Sequence, residues 1–334
     1  MTEKKVRSKL SDVLLNNFIM YTPMHSKVYG KVYCPIYELR HPINGHGLDE
    51  ELEIYNKDGQ RMRQFFLRDA HFASDYMVRH RSKYFIWDRY NFALNTHFYS
   101  HKAMLQQMGN PDRKYGLLVE SEAIKPHDYK IFERHKGLEK DFDYIFTYSD
   151  RLLDSLDNAK FFPACANSWY KYDNEKGYEN KTKNISILCS RKIMAPLHIF
   201  RRAIAEKYEH SELVDTYGTF NGGGFVDISD TLKDYRYTFA IENDKTSYFF
   251  TERIISSFRA MCVPIYIGAS KISEFFNPDG IIFIKESDLD DMDKIISQCN
   301  EKDYLDRLPA IIDNFHRAER YVNVWDSLFE DYLK

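Results

Sequence analysis

The sequence predicts an α/β protein, because short apolar runs recur along the chain with polar loops and amphipathic segments between them. The clearest stretch is Tyr237–Ile284, where Tyr237–Ile241, Val263–Ile267 and Ile281–Ile284 are predicted strands. Between the first two, Thr251 is predicted to cap a helix whose apolar positions recur at helical spacing. Strands that alternate with helices in this way indicate a parallel sheet buried on both faces.

The first half of the chain repeats this alternation. A helix is predicted near Leu10–Ile19, and Glu51–Phe66 is predicted as two short strands around the turn sequence Asn56-Lys57-Asp58-Gly59. Four strands and one helix are predicted after it: the strands Lys83–Trp87, Tyr115–Val119, Tyr144–Tyr148 and Lys160–Cys165, and the helix Asp150–Leu156.

A polar stretch without periodicity separates the two halves. It occupies residues 171–184, so we predict a first α/β domain over 1–170, a linker over 171–184 and a second α/β domain over 185–315. A C-terminal helix over 316–334 is predicted to pack back on the first domain. The elements predicted beyond the linker are the strands Ile185–Cys189 and Leu213–Asp215 and the helices Pro196–Tyr208, Asp288–Cys299 and Tyr304–Leu333.

The composition is that of a soluble globular protein, with 43% hydrophobic and 29% charged residues among 334. A net charge of −3 gives no reason to expect a nucleic-acid partner. The scattered cysteines indicate a reducing compartment, the N-terminal residues are charged, and no apolar run is long enough to span a bilayer. We therefore expect a cytoplasmic protein without a transmembrane segment, and leave open a peripheral association with a membrane. The cysteines are Cys34, Cys165, Cys189, Cys262 and Cys299.

Polar residues cluster where a predicted strand ends and a predicted helix begins. They are Glu242, Asn243, Thr251, Glu252 and Arg253. Ligands bind at the carboxyl ends of parallel strands, and a helix N-terminus favours an anionic group. A phosphate-bearing ligand, with a carboxylate beside it for hydroxyl groups, fits these residues. The alternative is a capped helix with solvated charges.

The order E-N-x(7)-T-E-R, V-P-I-Y-I-G and F-x-N-P in this stretch resembles the donor-binding segment of the α-1,3-fucosyltransferases. Arg253 stands where that family usually has lysine. The resemblance implies an inverting transferase with GDP-fucose as donor and a glycan as acceptor. It also implies the GT-B arrangement, in which an N-terminal acceptor-binding domain and a C-terminal GDP-sugar-binding domain, both Rossmann-like, face each other across a cleft.

The resemblance also implies residues that hold the diphosphate. Leu197–Arg201 matches three of the five places of a G-H-x-L-R pattern, so Arg201 is expected to bind the β-phosphate and His198 to lie beside it. Arg191 and Lys192 are reserve candidates, and an amphipathic helix with solvated arginines is the alternative. Phe249 is expected to line the donor pocket.

A catalytic base is implied by a second match. Glu120-Ser121-Glu122-Ala123-Ile124-Lys125-Pro126 precedes an aromatic strand, as in the family's E-S-x-x-I-x-P context, so Glu120 is the expected base. Glu122 is the reserve, because a more divergent form of the motif would align it instead. Both could also be ordinary loop carboxylates.

No metal or other cofactor is expected. Asp141-Phe142-Asp143 fits a D-x-D metal motif but stands at the start of an apolar strand, so a structural role is favoured. His71, His80 and His101 are expected to be surface or hydrogen-bonded residues. The segment Pro163–Trp169 departs from the family's Pro-Tyr-Gly, which leaves the transferred sugar open. A transferase for another GDP-linked sugar, or a non-catalytic glycan-binding protein with the same fold, is the alternative function.

Overall fold

The computed structural model describes residues 55–56, 58–68, 81–88 and 92–334. The chain divides into two compact units. The described part of unit 1 consists of residues within 55–68, 83–147 and 151–162, and that of unit 2 consists of 81–82, 148–150 and 163–334. The predicted helix at Leu10–Ile19 lies outside the described residues, as do His71 and His80. No described helix combines the length and the apolar character that a membrane crossing requires.

A parallel sheet forms the core of unit 1. In the described residues it has six strands in the order β2-β1-β3-β4-β5-β6. Aromatic side chains fill its faces; the Trp87 and Phe98 rings, for example, meet edge to face at 5.1 Å. The strands are β1 Arg63–Arg68, β2 Phe85–Asp88, β3 Thr96–Ser100, β4 Arg113–Leu117, β5 Tyr144–Thr147 and β6 Ala159–Phe161. The helices α1 Pro126–Tyr129, α2 Ile131–Arg134 and α3 Asp150–Ser155 and the 3₁₀ segments His101–Leu105 and Leu138–Asp141 join them.

Unit 2 contains a second parallel sheet, with five strands in the order β11-β10-β9-β7-β8 within its described residues. The strands are β7 Lys183–Leu188, β8 Asp215–Tyr217, β9 Tyr235–Ile241, β10 Val263–Ile267 and β11 Ile282–Phe283. The central strands β9 and β10 are almost entirely buried, as their apolar sequences predict. The predicted α/β class, with two units that each carry a parallel sheet, is confirmed.

Helices and short 3₁₀ segments connect and cover this sheet. Proline occupies the first turn of the long helix α4, and its buried positions recur at helical spacing, which gives one apolar face. The helices are α4 Pro196–Tyr208, α5 Glu252–Arg259, α6 Met292–Ile296, α7 Glu301–Asp306, α8 Leu308–Arg317 and α9 Val324–Leu328, and a π-helical turn spans Phe329–Leu333. The 3₁₀ segments are Gly177–Asn180, Ile228–Thr231, Ile272–Glu274, Pro278–Gly280, Glu286–Asp288 and Ala318–Tyr321.

Three predictions of local structure were wrong. The strand β3 lies in a region predicted as polar connection. The Gly59 N–H donates to the Asn56 carbonyl oxygen, as expected of the predicted turn, and Tyr55 and Arg61 form an antiparallel bridge. The strand β1 that follows, however, joins a parallel sheet rather than a hairpin. The single helix predicted for Tyr304–Leu333 is broken, because Pro309 starts α8 and the Asn323 side chain caps α9.

Candidate functional site

The carboxyl end of β9 and the start of α5 form one hydrogen-bonded unit. Thr251 is the N-cap of α5, as predicted, and its Oγ1 accepts a hydrogen bond from the Arg253 N–H. The carboxylate of Glu242, the first residue after β9, accepts from the Thr251 N–H at 2.9 Å and from the Thr251 hydroxyl at 2.6 Å. The strand end and the helix start are therefore fixed to each other by side chains from the predicted cluster.

Glu242 is a buried carboxylate with no exposed surface. Burial raises its pKa to about 7, and the nearby Arg253 opposes the rise. Arg253 Nη1 lies 3.9 Å from Glu242 Oε2. The close packing extends to Gly268, where an added Cβ would lie 2.4 Å from the Glu242 Cγ. The buried carboxyl group therefore holds its proton more strongly than an exposed one would.

Arg253 brings a cation to the helix start. Its Nη1 donates to Thr251 Oγ1 at 3.1 Å and pairs with Glu252 Oε1 at the same distance. The Arg253 side chain is 25% exposed, so its guanidinium group is held by neighbours and is still reachable from solvent. The Glu252 N–H donates to the Cys165 carbonyl oxygen at 2.9 Å, which uses one of the free N–H groups of the first helical turn.

Arg201 projects from α4 toward the same strand end. It is 3% exposed, and its Nη2 donates to the carbonyl oxygens of Ile241 and Glu242 and to Asn243 Oδ1. These acceptors are neutral, and Arg201 Nε has no hydrogen-bond partner among the described residues. Burial, together with the charge of Arg253, lowers the Arg201 pKa to about 9, so the group still carries its charge at neutral pH.

His198 lies one turn before Arg201 and shares an acceptor with it. Its Nδ1 accepts from the Met194 N–H at 3.1 Å, so the ring proton is on Nε2 and is donated to Asn243 Oδ1 at 2.8 Å. Burial and the charge of Arg201 lower the His198 pKa to about 4. Asn243 Oδ1 therefore receives two donors, and the structure brings the sequence-predicted residues Arg201, His198 and Asn243 into direct contact.

The other predicted donor residues divide into exposed and buried. Arg191 and Lys192, the reserve candidates, are exposed in the loop after β7. The loop is anchored by the Arg191 N–H, which donates to Thr219 Oγ1 at 3.2 Å. Phe249 is buried, and its ring packs against that of Tyr148 with centroids 4.7 Å apart. Phe249 thus supports the loop between β9 and α5 from inside unit 2.

In unit 1 the two candidate bases have different surroundings. Glu120 is half-buried, and its Oε1 accepts from the Ser121 N–H at 2.9 Å. Glu122 Oε1 pairs with Arg151 Nη2 at 3.3 Å, and Arg151 also pairs with Glu133. An ion pair occupies the Glu122 carboxylate, whereas Glu120 is held by a backbone amide, which makes Glu120 the freer acceptor for a proton.

Sequence reasoning missed the residue that contacts the Glu120 backbone. His101 is fully buried, and it is hydrogen-bonded, which is one of the two environments expected for it. Its Nε2 accepts from the N–H groups of Val119 and Glu120, each at 3.0 Å. The residues lie 18 and 19 positions apart in sequence, and no local pattern signals the contact.

The D-x-D carboxylates are engaged by neighbouring side chains. Asp141 accepts from Gln107 Nε2 at 3.0 Å, and Asp143 pairs with Arg113 at 2.7 Å and accepts from the Lys114 N–H. Across the described residues, no group of three or more His, Cys, Asp or Glu side chains could hold a metal ion.

The residues of this site lie in a segment that matches a known protein family. Residues 178–324 match the family model described as glycosyltransferase family 10 (fucosyltransferase), C-terminal. The matched segment contains the predicted donor-binding residues of unit 2 and excludes Glu120. A fucosyltransferase-like protein of Arabidopsis thaliana is 26% identical over 213 residues, which is 60% of this chain and 38% of that protein. This chain thus spans about two fifths of that relative's length.

Solved structures show the likeness in fold. The structure of Anabaena Alr3699/HepE in complex with UDP has a TM-score of 0.52 at 9% identity, covering 81% of this chain and 99% of that one. An α1,3-fucosyltransferase crystallised with GDP has a TM-score of 0.49 at 14% identity, covering 84% of this chain and 94% of that one.

Proposed function

We propose that the chain, whose residues 178–324 match the C-terminal model of glycosyltransferase family 10 (fucosyltransferase), transfers fucose from GDP-fucose to a glycan hydroxyl, with inversion at the anomeric carbon. The donor is bound by unit 2 and no metal is needed. We also propose that the protein acts in the cytoplasm.

The observation that carries the proposal is the buried cation at the end of β9. Arg201 is almost completely buried among neutral acceptors, and none of the described carboxylates forms an ion pair with it. A buried charge without a counter-ion is unfavourable, so the position favours an anionic ligand. Arg253 and the N-terminus of α5 add positive charge at the same strand end. A nucleoside diphosphate suits such a site.

In the proposed reaction, Glu120 accepts the proton of the attacking hydroxyl while its oxygen bonds to the anomeric carbon. The bond from that carbon to the β-phosphate oxygen breaks, and Arg201 and Arg253 stabilise the negative charge on the departing GDP. Asn243 and Glu252 are proposed to bind hydroxyl groups of the donor.

The test measures binding and transfer separately. Calorimetry with GDP and UDP is expected to give tighter binding of GDP, and transfer is then measured from GDP-fucose to a panel of oligosaccharides that end in N-acetylglucosamine or galactose. Glu120→Gln should lower turnover by about 10² to 10⁴ with GDP affinity unchanged. Glu122→Gln is the matched control. Loss of turnover in Glu122→Gln alone would move the base by two residues, and preference for UDP would refute the assignment of the donor.

A second candidate is transfer of another GDP-linked sugar. Two departures from the family pattern favour it: Arg253 replaces lysine, and residues 163–169 differ in sequence. In this segment the Cys165 carbonyl oxygen accepts a hydrogen bond from the Glu252 N–H, so the altered segment contacts the N-terminus of α5. Faster transfer from GDP-mannose than from GDP-fucose would support this candidate. If no GDP-sugar releases GDP in the presence of an acceptor, the non-catalytic alternative is favoured.

A further inference from the structure

His101 has an unusual backbone and a central position in unit 1. It follows β3 directly and has φ +51°, a left-handed conformation that residues other than glycine seldom adopt. Such a conformation persists only where the surrounding contacts determine it. For His101 these contacts include the two N–H groups of Val119 and Glu120, which both donate to its Nε2.

The direction of these bonds fixes the tautomer of the ring. Because Nε2 accepts two hydrogen bonds, the proton must be on Nδ1. Nδ1 lies 3.2 Å from Asp128 Oδ2, and both side chains are buried, with 1% and 3% of their surface exposed. The carboxylate of Asp128 therefore favours the tautomer that leaves Nε2 free to accept.

The remaining backbone and side-chain groups around Glu120 are fixed as well. The Tyr129 hydroxyl donates to the Glu120 carbonyl oxygen at 2.7 Å. The Ser121 N–H holds Glu120 Oε1, while Oε2 has no hydrogen-bond partner among the described residues. Each polar group of Glu120 except Oε2 is thus held by a neighbour within unit 1.

We propose that His101, oriented by Asp128, is a positioning residue that sets the direction of the Glu120 carboxylate for proton transfer. The inference rests on the proposed function, in which Glu120 is the base. Toward Glu120, His101 contacts the backbone N–H groups of residues 119 and 120, so it acts through Glu120 and is not itself a catalytic residue. Small misplacements of a catalytic group lower the rate strongly, so holding the Glu120 backbone in place would keep the reaction fast.

Two substitutions of His101 separate positioning from packing. Asparagine tolerates a left-handed backbone but is too short to place an acceptor where Nε2 lies. Glutamine can place its Oε1 near that point, although it fits the backbone conformation less well. We expect kcat for transfer from GDP-fucose to fall about 10- to 100-fold in His101→Asn and to recover to within about fivefold of wild type in His101→Gln. GDP affinity, which depends on residues of unit 2, should stay within about twofold in both.

His97 supplies the matched control. It is also a fully buried histidine of unit 1, and its Nδ1 lies 2.8 Å from the Tyr99 hydroxyl, away from Glu120. His97→Gln should lower the melting temperature and leave kcat within about twofold. Asp128→Asn keeps the shape of the side chain and removes the negative charge next to His101 Nδ1, so it should also lower kcat. This variant remains informative if His101→Asn folds poorly.

The possible results are distinct. If Glu120→Gln is inactive while His101→Asn and Asp128→Asn keep wild-type kcat, the positioning role is refuted and the proposed function stands. Equal losses of kcat in His97→Gln and His101→Asn, or no recovery in His101→Gln, would also refute it by pointing to general destabilisation. If the wild-type protein transfers no sugar from any GDP-sugar, the proposed function fails and the inference falls with it.

Discussion

Glu242→Gln tests whether the buried carboxyl group at the end of β9 titrates near neutral pH. The group is fully buried, and burial raises its pKa from 4.5 to about 7. Glutamine has almost the same size, and its Oε1 can still accept the Thr251 N–H. The substitution therefore removes the titration and keeps most of the packing.

The sign and size of the effect follow from the shift. A carboxyl group whose pKa is higher in the folded than in the unfolded state stabilises the fold below the unfolded pKa, and the contribution is lost as the pH rises through the folded pKa. A rise from 4.5 to about 7 corresponds to about 3 kcal/mol, lost mainly between pH 4.5 and pH 7. For a unit the size of unit 2, this is about 6 to 12 °C in melting temperature.

The measurement is the melting temperature of wild type and variant at pH 5, 6, 7 and 8. His97 and His198, whose pKa values are lowered to about 4, lose their contributions as the pH falls, which is the opposite direction. Their effect largely cancels when the variant is compared with wild type at each pH. The difference, variant minus wild type, should rise by about 5 to 10 °C from pH 5 to pH 8, because part of the effect lies below pH 5.

Glu252→Gln is the control, because Glu252 lies at the same helix start but pairs directly with Arg253. Its difference from wild type should change less between pH 5 and pH 8 than that of Glu242→Gln, because the Glu242 carboxyl group is still present in it. If Glu242→Gln gives an equally flat difference, Glu242 is ionised throughout, and Arg253 and Thr251 outweigh burial. That result would refute the reasoning from desolvation.

Three further predictions concern the same strand end. Thr251→Ala removes the helix cap and one donor to Glu242, so it should destabilise the protein by about 1 to 2 kcal/mol in denaturant titrations, while Thr251→Ser should lose less than half of that. Arg253→Ala should weaken GDP binding in calorimetry by about 1.5 to 3 kcal/mol, and Arg253→Lys by less; equal affinity in all three proteins would remove Arg253 from the donor site. Transfer activity is expected to survive excess EDTA, because Arg201 and Arg253 supply positive charge, and a loss that Mn²⁺ restores would contradict this.

Local sequence rules predicted the central part of the fold well. Val263–Ile267 and Pro196–Tyr208 have the predicted bounds, because a continuous apolar run and an amphipathic period are signals contained within each segment. The strand Thr96–Ser100 was missed because its sequence, T-H-F-Y-S, looks polar at three of five places. Its last four residues are all buried, and their partners include residues outside the strand, such as Phe66, whose ring centroid lies 4.5 Å from that of His97. Tertiary contacts overrode local pattern there.

The candidate site shows the same limit in its chemistry. The sequence could select Glu242 by residue type and by its place at a strand end, and Arg201 through the resemblance of Leu197–Arg201 to the family's pattern. It could not predict that the Arg201 guanidinium would be almost completely buried among neutral acceptors, or that Glu242 would be buried against Thr251. Both facts depend on which groups from distant segments pack together in the folded protein, and the spacing of residues in the sequence does not determine this.

The contacts of Arg201 also explain why substitutions there would be hard to interpret on their own. Arg201 Nη2 ties α4 to the carbonyl oxygens at the end of β9, so its removal leaves buried acceptors unsatisfied and destabilises unit 2 whether or not a ligand binds. Arg253 is part exposed and can be replaced at smaller structural cost. A loss of GDP affinity in Arg253→Ala therefore reports on binding, whereas the same loss in Arg201→Ala would mix binding with folding. The contribution of positive charge to GDP binding is therefore best tested through Arg253. The contribution of Arg201 is obtained by comparing how much GDP raises the melting temperature of wild type and of Arg201→Ala, because this rise reports on binding separately from the lower starting stability.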